Sequence, residues 1–107
     1  MSESDFYCSE VFSGRTQVDV VRETENALAF KHTRPSYPVH IVVVPKKHIR
    51  SLTEASGQDW AIVVETLSVV REVAREVESE HGKCSIVTNL GQYQESKHLH
   101  WHVLVRG

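Results

Sequence analysis

Apolar and polar residues alternate strictly over His98-Leu99-His100-Trp101-His102-Val103-Leu104. Period two is the periodicity of a strand, so the segment is predicted as a half-buried β-strand with Leu99, Trp101 and Val103 towards the core. Its three histidines then share the opposite face, about 6.5–7 Å apart along the strand. Upstream, His40-Ile41-Val42-Val43-Val44 is a β-branched apolar run closed by Pro45, predicted as a central strand. Residues 17–23, with Val18, Val20 and Val21, read as a strand. Thr24-Glu25-Asn26 makes a tight turn, and residues 27–30 run back as the partner of a hairpin. Residues 83–89 read as another strand. Polar loops are expected over residues 31–38, where Pro35 and Pro38 prevent regular pairing, and over residues 90–97.

Between Ser51 and Gly82 the period changes. Trp60, Val63, Val64, Leu67, Val70, Ala74 and Val77 recur at steps of three and four, which predicts a long helix with one apolar stripe. Glu65, Arg71, Glu72, Arg75, Glu76 and Glu78 are expected to cover a solvated face, and no site is expected on the helix. Ser56 or Asp59 is placed to cap its start and Gly82 to stop it in a left-handed conformation. Phe6, Tyr7, Val11 and Phe12, with Cys8, suggest a short helical or irregular segment packed on the body and ended by Ser13-Gly14; residues 1–5 are expected to fray. Hairpin, strand, helix, strand, strand offers too few βαβ alternations for a doubly wound sheet. The expected fold is therefore α+β, an antiparallel sheet of about five strands with one long helix packed on it.

Composition narrows the function. A chain of 107 residues supports one domain, taken as 1–107. A net charge of −2 argues against a broad basic field for a nucleic acid polymer or a membrane surface, and leaves a local anion site open. No run approaches the roughly 18 apolar residues of a membrane span, and the first residues are acidic and polar, so a cytoplasmic location is expected. Cys8 and Cys84 are expected as reduced thiols.

Seven histidines are many for this length. Three readings of the 98–102 cluster compete. Imidazoles at i, i+2 on a strand can aim at one metal, making a metal-dependent hydrolase. One imidazole can act as nucleophile while its neighbours bind an anion and shuttle a proton. The third reading is a polar sheet face with no chemistry.

The residues also carry a family resemblance. His98-Leu99-His100-Trp101-His102-Val103-Leu104 resembles the His-φ-His-φ-His-φ-φ motif of the histidine-triad (HIT) family. Ala27-Leu28-Ala29-Phe30, and the run from Pro38 to Ile49 with its Pro45-Lys46-Lys47-His48, are similar to the family's upstream blocks. Asn89 before a Gly/Gln-containing loop matches the approach to the triad. The resemblance implies a homodimer that binds nucleotides and acts at the α-phosphorus of nucleoside phosphoramidates, dinucleotides or similar esters, without a cofactor in the chemistry. It implies His100 as nucleophile, its Nδ1–H held by a backbone carbonyl, and His102 on the phosphate oxygens. His98 and His40 are to orient the site and pass protons. Asn89, Gln94 and Ser96 are the implied phosphate, ribose and leaving-group contacts, and Phe30 and Val42 the implied base pocket. Two departures stand out: His32 occupies the place of a ribose-binding Asp, and Glu95 that of a hydroxyl, with Lys97 near enough in sequence to neutralise it. They motivate an alternative, a module that binds nucleotide or phosphate with little turnover. Some bacterial relatives hold a structural zinc, and the matching positions here are Asp5, Cys8, His48 and His98.

Overall fold

The strand Val39–Pro45 has apolar side chains on both of its faces, and both are covered. In the computed structural model, which describes residues 7–107, the strands are β1 (Val20–Glu23), β2 (Ala27–Lys31), β3 (Val39–Pro45), β4 (Ser85–Val87) and β5 (Trp101–Val105), with one long helix, α1 (Trp60–His81). They form one antiparallel sheet in the order β1-β2-β3-β5-β4, with β3 at its centre. This is the expected α+β arrangement. The expectations for residues 1–5, including Asp5, and for Phe6 lie outside the described residues.

Strand parity sorts the core into two layers. Ala27, Ala29, Ile41, Val43, Trp101 and Val103 face α1, where Val63, Val70, Val73 and Val77 meet them. Leu28, Phe30, Val42 and Val44 face the other way, under Tyr7 and Val11. Those two residues lie on a single wide turn, Tyr7–Val11, in which the Phe12 N–H donates to the Tyr7 carbonyl at 2.7 Å. The N-terminal segment predicted to pack on the body therefore closes the face that the helix leaves open.

Several boundaries differ from the sequence reading. Ladder pairing begins at Val20 rather than at residue 17, and β4 is limited to three residues. Pairing of β5 begins only at Trp101, because the preceding backbone is engaged elsewhere. The Leu99 N–H donates to the Ile49 carbonyl (2.6 Å), and the Thr88 hydroxyl donates to the His100 carbonyl (2.8 Å).

The helix departs most from expectation. Val63, Thr66, Val69, Val70, Val73 and Val77 are buried, whereas Trp60, Val64 and Leu67 are each about half exposed. The single stripe is thus two stripes, one on the sheet and one outward. Glu65, expected in solvent, is docked on the β1–β2 turn: its carboxylate accepts from the Thr24 hydroxyl (2.6 Å), the Asn26 N–H (2.8 Å) and the Asn26 side-chain amide (3.0 Å). Those donors, the Thr24 hydroxyl first, hold its pKa below the usual carboxylate value. Neither Ser56 nor Asp59 caps α1 with its side chain. A tight turn, Gly57–Asp59, runs directly into the helix, and the Asp59 carboxylate is taken by Lys47 (2.5 Å) and Ser56 (3.1 Å). Gly82 ends the helix at φ 77°, as expected, with its N–H on the Glu78 carbonyl.

Candidate active site

Register places Phe30, Val42, His102 and Val87 side by side across β2, β3, β5 and β4. This row forms the floor of a cleft of about 750 Å³. Tyr7 and Leu104 add apolar wall, His32, Arg34 and Tyr37 line one rim, and Asn89, Tyr93, Glu95 and Ser96 line the other. His40 and His100 complete the polar lining.

Hydrogen-bond partners assign the proton on each ring, since a carbonyl only accepts and a backbone N–H only donates. His100 Nδ1 lies 2.7 Å from the His98 carbonyl and must carry a hydrogen, which leaves Nε2 with its lone pair. His40 Nδ1 accepts from the Ser36 N–H at 3.2 Å, so its hydrogen is on Nε2. His40 Nε2 then donates to His102 Nδ1 at 2.8 Å, and the hydrogen of His102 sits on its own Nε2. His32 Nδ1 accepts from the Arg34 N–H (2.9 Å) and its ring stacks on His40 at 4.3 Å. The result is an imidazole lone pair on His100 beside an imidazole N–H on His102, with the two rings 5.0 Å apart and nearly perpendicular.

Neutral rings are what this network needs. Burial, with His32 nearby, pushes His40 down to about 4; burial and the neighbouring His100, His40 and His32 push His102 down to about 4. His100 is also lowered, burial outweighing the favourable contact with the His98 carbonyl. His32 is lowered by burial against the pull of Glu95.

The elements that carry this cleft match known proteins. Residues 13–107 match the HIT domain. An uncharacterized HIT-like protein of Chlamydia trachomatis is 35% identical over 98 residues, covering 91% of this chain and 88% of the relative. Among solved structures, a histidine triad protein from Clostridium difficile superposes with a TM-score of 0.79 at 33% identity, covering 94% of this chain and 88% of its own. A HIT family hydrolase from Legionella pneumophila superposes at 0.81 and 28% identity, covering 95% and 92%. This chain belongs to the HIT family.

Within this HIT domain the candidate residues separate. His32, His40, His100, His102, Asn89, Ser96, Phe30 and Val42 all line the cleft. Two candidates do not. Gln94 is buried with its amide N–H on the Arg50 carbonyl (2.6 Å), where it braces the loop outside the cleft lining. The His98 ring is fully buried beside Tyr7, with Nε2–H on the Pro45 carbonyl at 2.7 Å, and its backbone carbonyl accepts from His100. Nor does Lys97 neutralise Glu95: its ammonium donates to the Gly91 and Gln94 carbonyls (2.9 and 2.8 Å). Tyr7 and Leu104 were not among the predicted site residues. Leu104 continues the even-numbered parity of His100 and His102, a signal present in the alternation. Tyr7, which precedes the matched HIT region, carries no such signal.

The candidate metal ligands also gather. Cys8, His48 and His98 place one donor atom each within 4.8 Å of one another. The Cys8 thiol lies 3.6 Å from His98 Nδ1, and the Nε2–H bond to Pro45 leaves that Nδ1 as the lone-pair nitrogen. A thiolate and two imidazoles, one already oriented by a backbone carbonyl, are donor types that would hold zinc. Asp5 lies outside the described residues. Among the described residues, no helix is long and apolar enough to cross a membrane.

Proposed function

We propose that this protein is a nucleotide hydrolase or transferase that attacks the α-phosphorus of nucleoside phosphoramidates, dinucleotides or similar nucleotide conjugates. The observation that carries this reading is the pairing of a lone-pair nitrogen on His100 with an N–H on His102 in one cleft. His100 Nε2 attacks phosphorus and the bond to the amine or ester leaving group breaks, the leaving group taking the electron pair and a proton from solvent water. His102 Nε2–H donates to a non-bridging oxygen as charge develops. Water then attacks the nucleotidyl-histidine, releasing the nucleotide and restoring the imidazole. His40 fixes the tautomer of His102, and the His98 carbonyl fixes that of His100, so His98 is a positioning residue. Phe30, Val42, Val87 and Leu104 form an apolar surface suited to a base. The small-anion cleft and the net charge of −2 fit a nucleotide better than a nucleic acid polymer.

Incubation with adenosine 5′-phosphoramidate tests the reading. Release of AMP and ammonia is expected. One observation favours a second reading: the Glu95 carboxylate on the cleft wall disfavours close approach of phosphate. AMP binding without release of AMP from any phosphoramidate or dinucleotide establishes that reading, a binding module, in place of the enzyme.

We further propose that the functional unit is a homodimer. The outward stripe of α1 and the exposed Ile86 on β4 frame an apolar groove of about 590 Å³, and β4 is an unpaired sheet edge. A second copy related by a two-fold axis can pair β4 with β4 and cover both stripes at once. Light scattering after size exclusion is expected to give twice the 12.2 kDa chain mass, and Leu67→Glu is expected to halve it. A monomeric wild type removes the proposal.

A further inference from the structure

The two rims of the cleft differ in sign. Arg34 stands on one and Glu95 on the other, and among the described residues these are the only fixed charges in its lining. The Glu95 carboxylate has no hydrogen-bond or ion-pair partner among the described residues. The adjacent cation in sequence, Lys97, is held by the Gly91 and Gln94 carbonyls instead. Burial lowers the pKa of both His100 and His32, and the negative charge of Glu95 acts against it at each ring. That charge therefore stands over the reacting end of the cleft. Beside it the Ser96 hydroxyl is buried without a hydrogen-bond partner, an arrangement that is unfavourable until a ligand satisfies it. Two residues before Glu95, Tyr93 is 82% exposed at the cleft edge. A carboxylate, a hydroxyl and an open aromatic face on one short segment are the groups that hold a cation. A nucleoside 5′-phosphate offers none at neutral pH, and its phosphate is repelled by Glu95. The cation has to come from the other half of the substrate.

We infer that Glu95, with Tyr93 and Ser96, is a specificity-determining wall that takes a positively charged leaving group, the amine half of a nucleoside phosphoramidate bearing a second, protonated amine or a guanidinium. The cation rests on the Glu95 carboxylate and the Tyr93 ring, and the Ser96 hydroxyl accepts from it. A carboxylate that repels a bare phosphate is then compensated by the right substrate and left uncompensated by a neutral one, which is how an unfavourable charge selects. The same residue that argues against turnover of an uncharged conjugate thus favours a charged one. That the cation belongs to a leaving group rests on the proposed function; that the wall binds a cation does not.

The test uses the full chain and two adenosine 5′-phosphoramidates of nearly equal length, one N-linked to an aminobutyl chain and one to a pentyl chain. The first ends in an ammonium and the second in a methyl group. At low ionic strength kcat/KM for the aminobutyl conjugate is expected to exceed that for the pentyl conjugate by about tenfold, the scale of an ion pair reinforced by an aromatic face. The ratio is expected to shrink as salt is added, because an exposed charge pair is screened. Glu95→Gln, which keeps the size and removes the charge, is expected to bring the ratio to within about twofold of one, and Glu95→Lys to invert it. Glu95 is exposed, so neither variant is expected to unfold the chain. Calorimetric titration of both conjugates into His100→Ala reads binding without turnover, and there too the aminobutyl conjugate is expected to bind about tenfold more tightly. Equal affinities in His100→Ala, or a preference that survives Glu95→Gln, overturn the cation wall. Tighter binding of the aminobutyl conjugate with hydrolysis of neither removes the hydrolase reading and upholds the wall. Binding of neither conjugate overturns both.

Discussion

His100→Ala is expected to lower the turnover of adenosine 5′-phosphoramidate by at least about 10⁴-fold, the scale seen when a covalent nucleophile is removed. The loss is expected in kcat, with AMP affinity changed far less, because Phe30, Val42 and Leu104 still line the pocket. A folding defect is not the expected source of so large an effect. His100 lies ahead of the β5 ladder, which starts at Trp101, and the backbone bonds at Leu99 N–H and the His100 carbonyl do not involve the imidazole. Denaturation at alkaline pH during turnover, where the histidine P–N bond persists, is expected to trap a nucleotidyl adduct on the wild type, visible by mass spectrometry, and none on the variant. Equal turnover in both proteins removes His100 as nucleophile.

The reason His100 stands out in the sequence also explains what the sequence leaves hidden. Side-chain parity is a local property. The even positions of 98–104 continue to share a face even where ladder pairing stops, and the strand expected at 40–44 is found as Val39–Pro45, with Pro45 inside the ladder opposite Ala27 instead of closing it. The two-faced burial of β3 is visible as an uninterrupted apolar run. Parity does not say which side chain reaches the cleft, however. His98 has the same parity as His100, yet its ring is turned under Tyr7 onto the Pro45 carbonyl, a contact 53 residues away in sequence. Glu65 looks like any solvated helix residue until the hairpin turn 24–26 is brought against it. The outward stripe of α1 matches the inward one in composition, so periodicity merges them. Gln94 carries the same failure in a loop: distance from the triad predicts a ligand contact, whereas the Arg50 carbonyl, 44 residues away, claims its amide. Short-range pattern identifies the strand and its chemistry, and long-range hydrogen bonds decide which members of the pattern are used.

His102→Ala is expected to cost about 10²–10³-fold in kcat with a smaller change in KM, as for loss of one donor to developing charge in a water-poor site. His102→Gln, which keeps a side-chain N–H, is expected to recover part of that loss; a merely space-filling role predicts no difference between the two variants. The donor works because the ring is neutral with its hydrogen on Nε2, and that tautomer depends on the His40 contact at 2.8 Å. The same contact makes an independent prediction. With folded values near 4 against an ordinary 6.5, both rings bind fewer protons in the fold than in the unfolded chain. Their contribution to stability is complete above 6.5 and is lost as pH falls towards about 4. Urea midpoints are thus expected to decline across that window, and to decline less steeply in His102→Ala, which removes one of the two groups. Ring-proton shifts of His40 and His102 are expected to stay constant through pH 6.5 and to move only near 4. Midpoints at 6.5 for both rings show that they are solvated and independently protonated, and with that the fixed His102 N–H facing the cleft is lost.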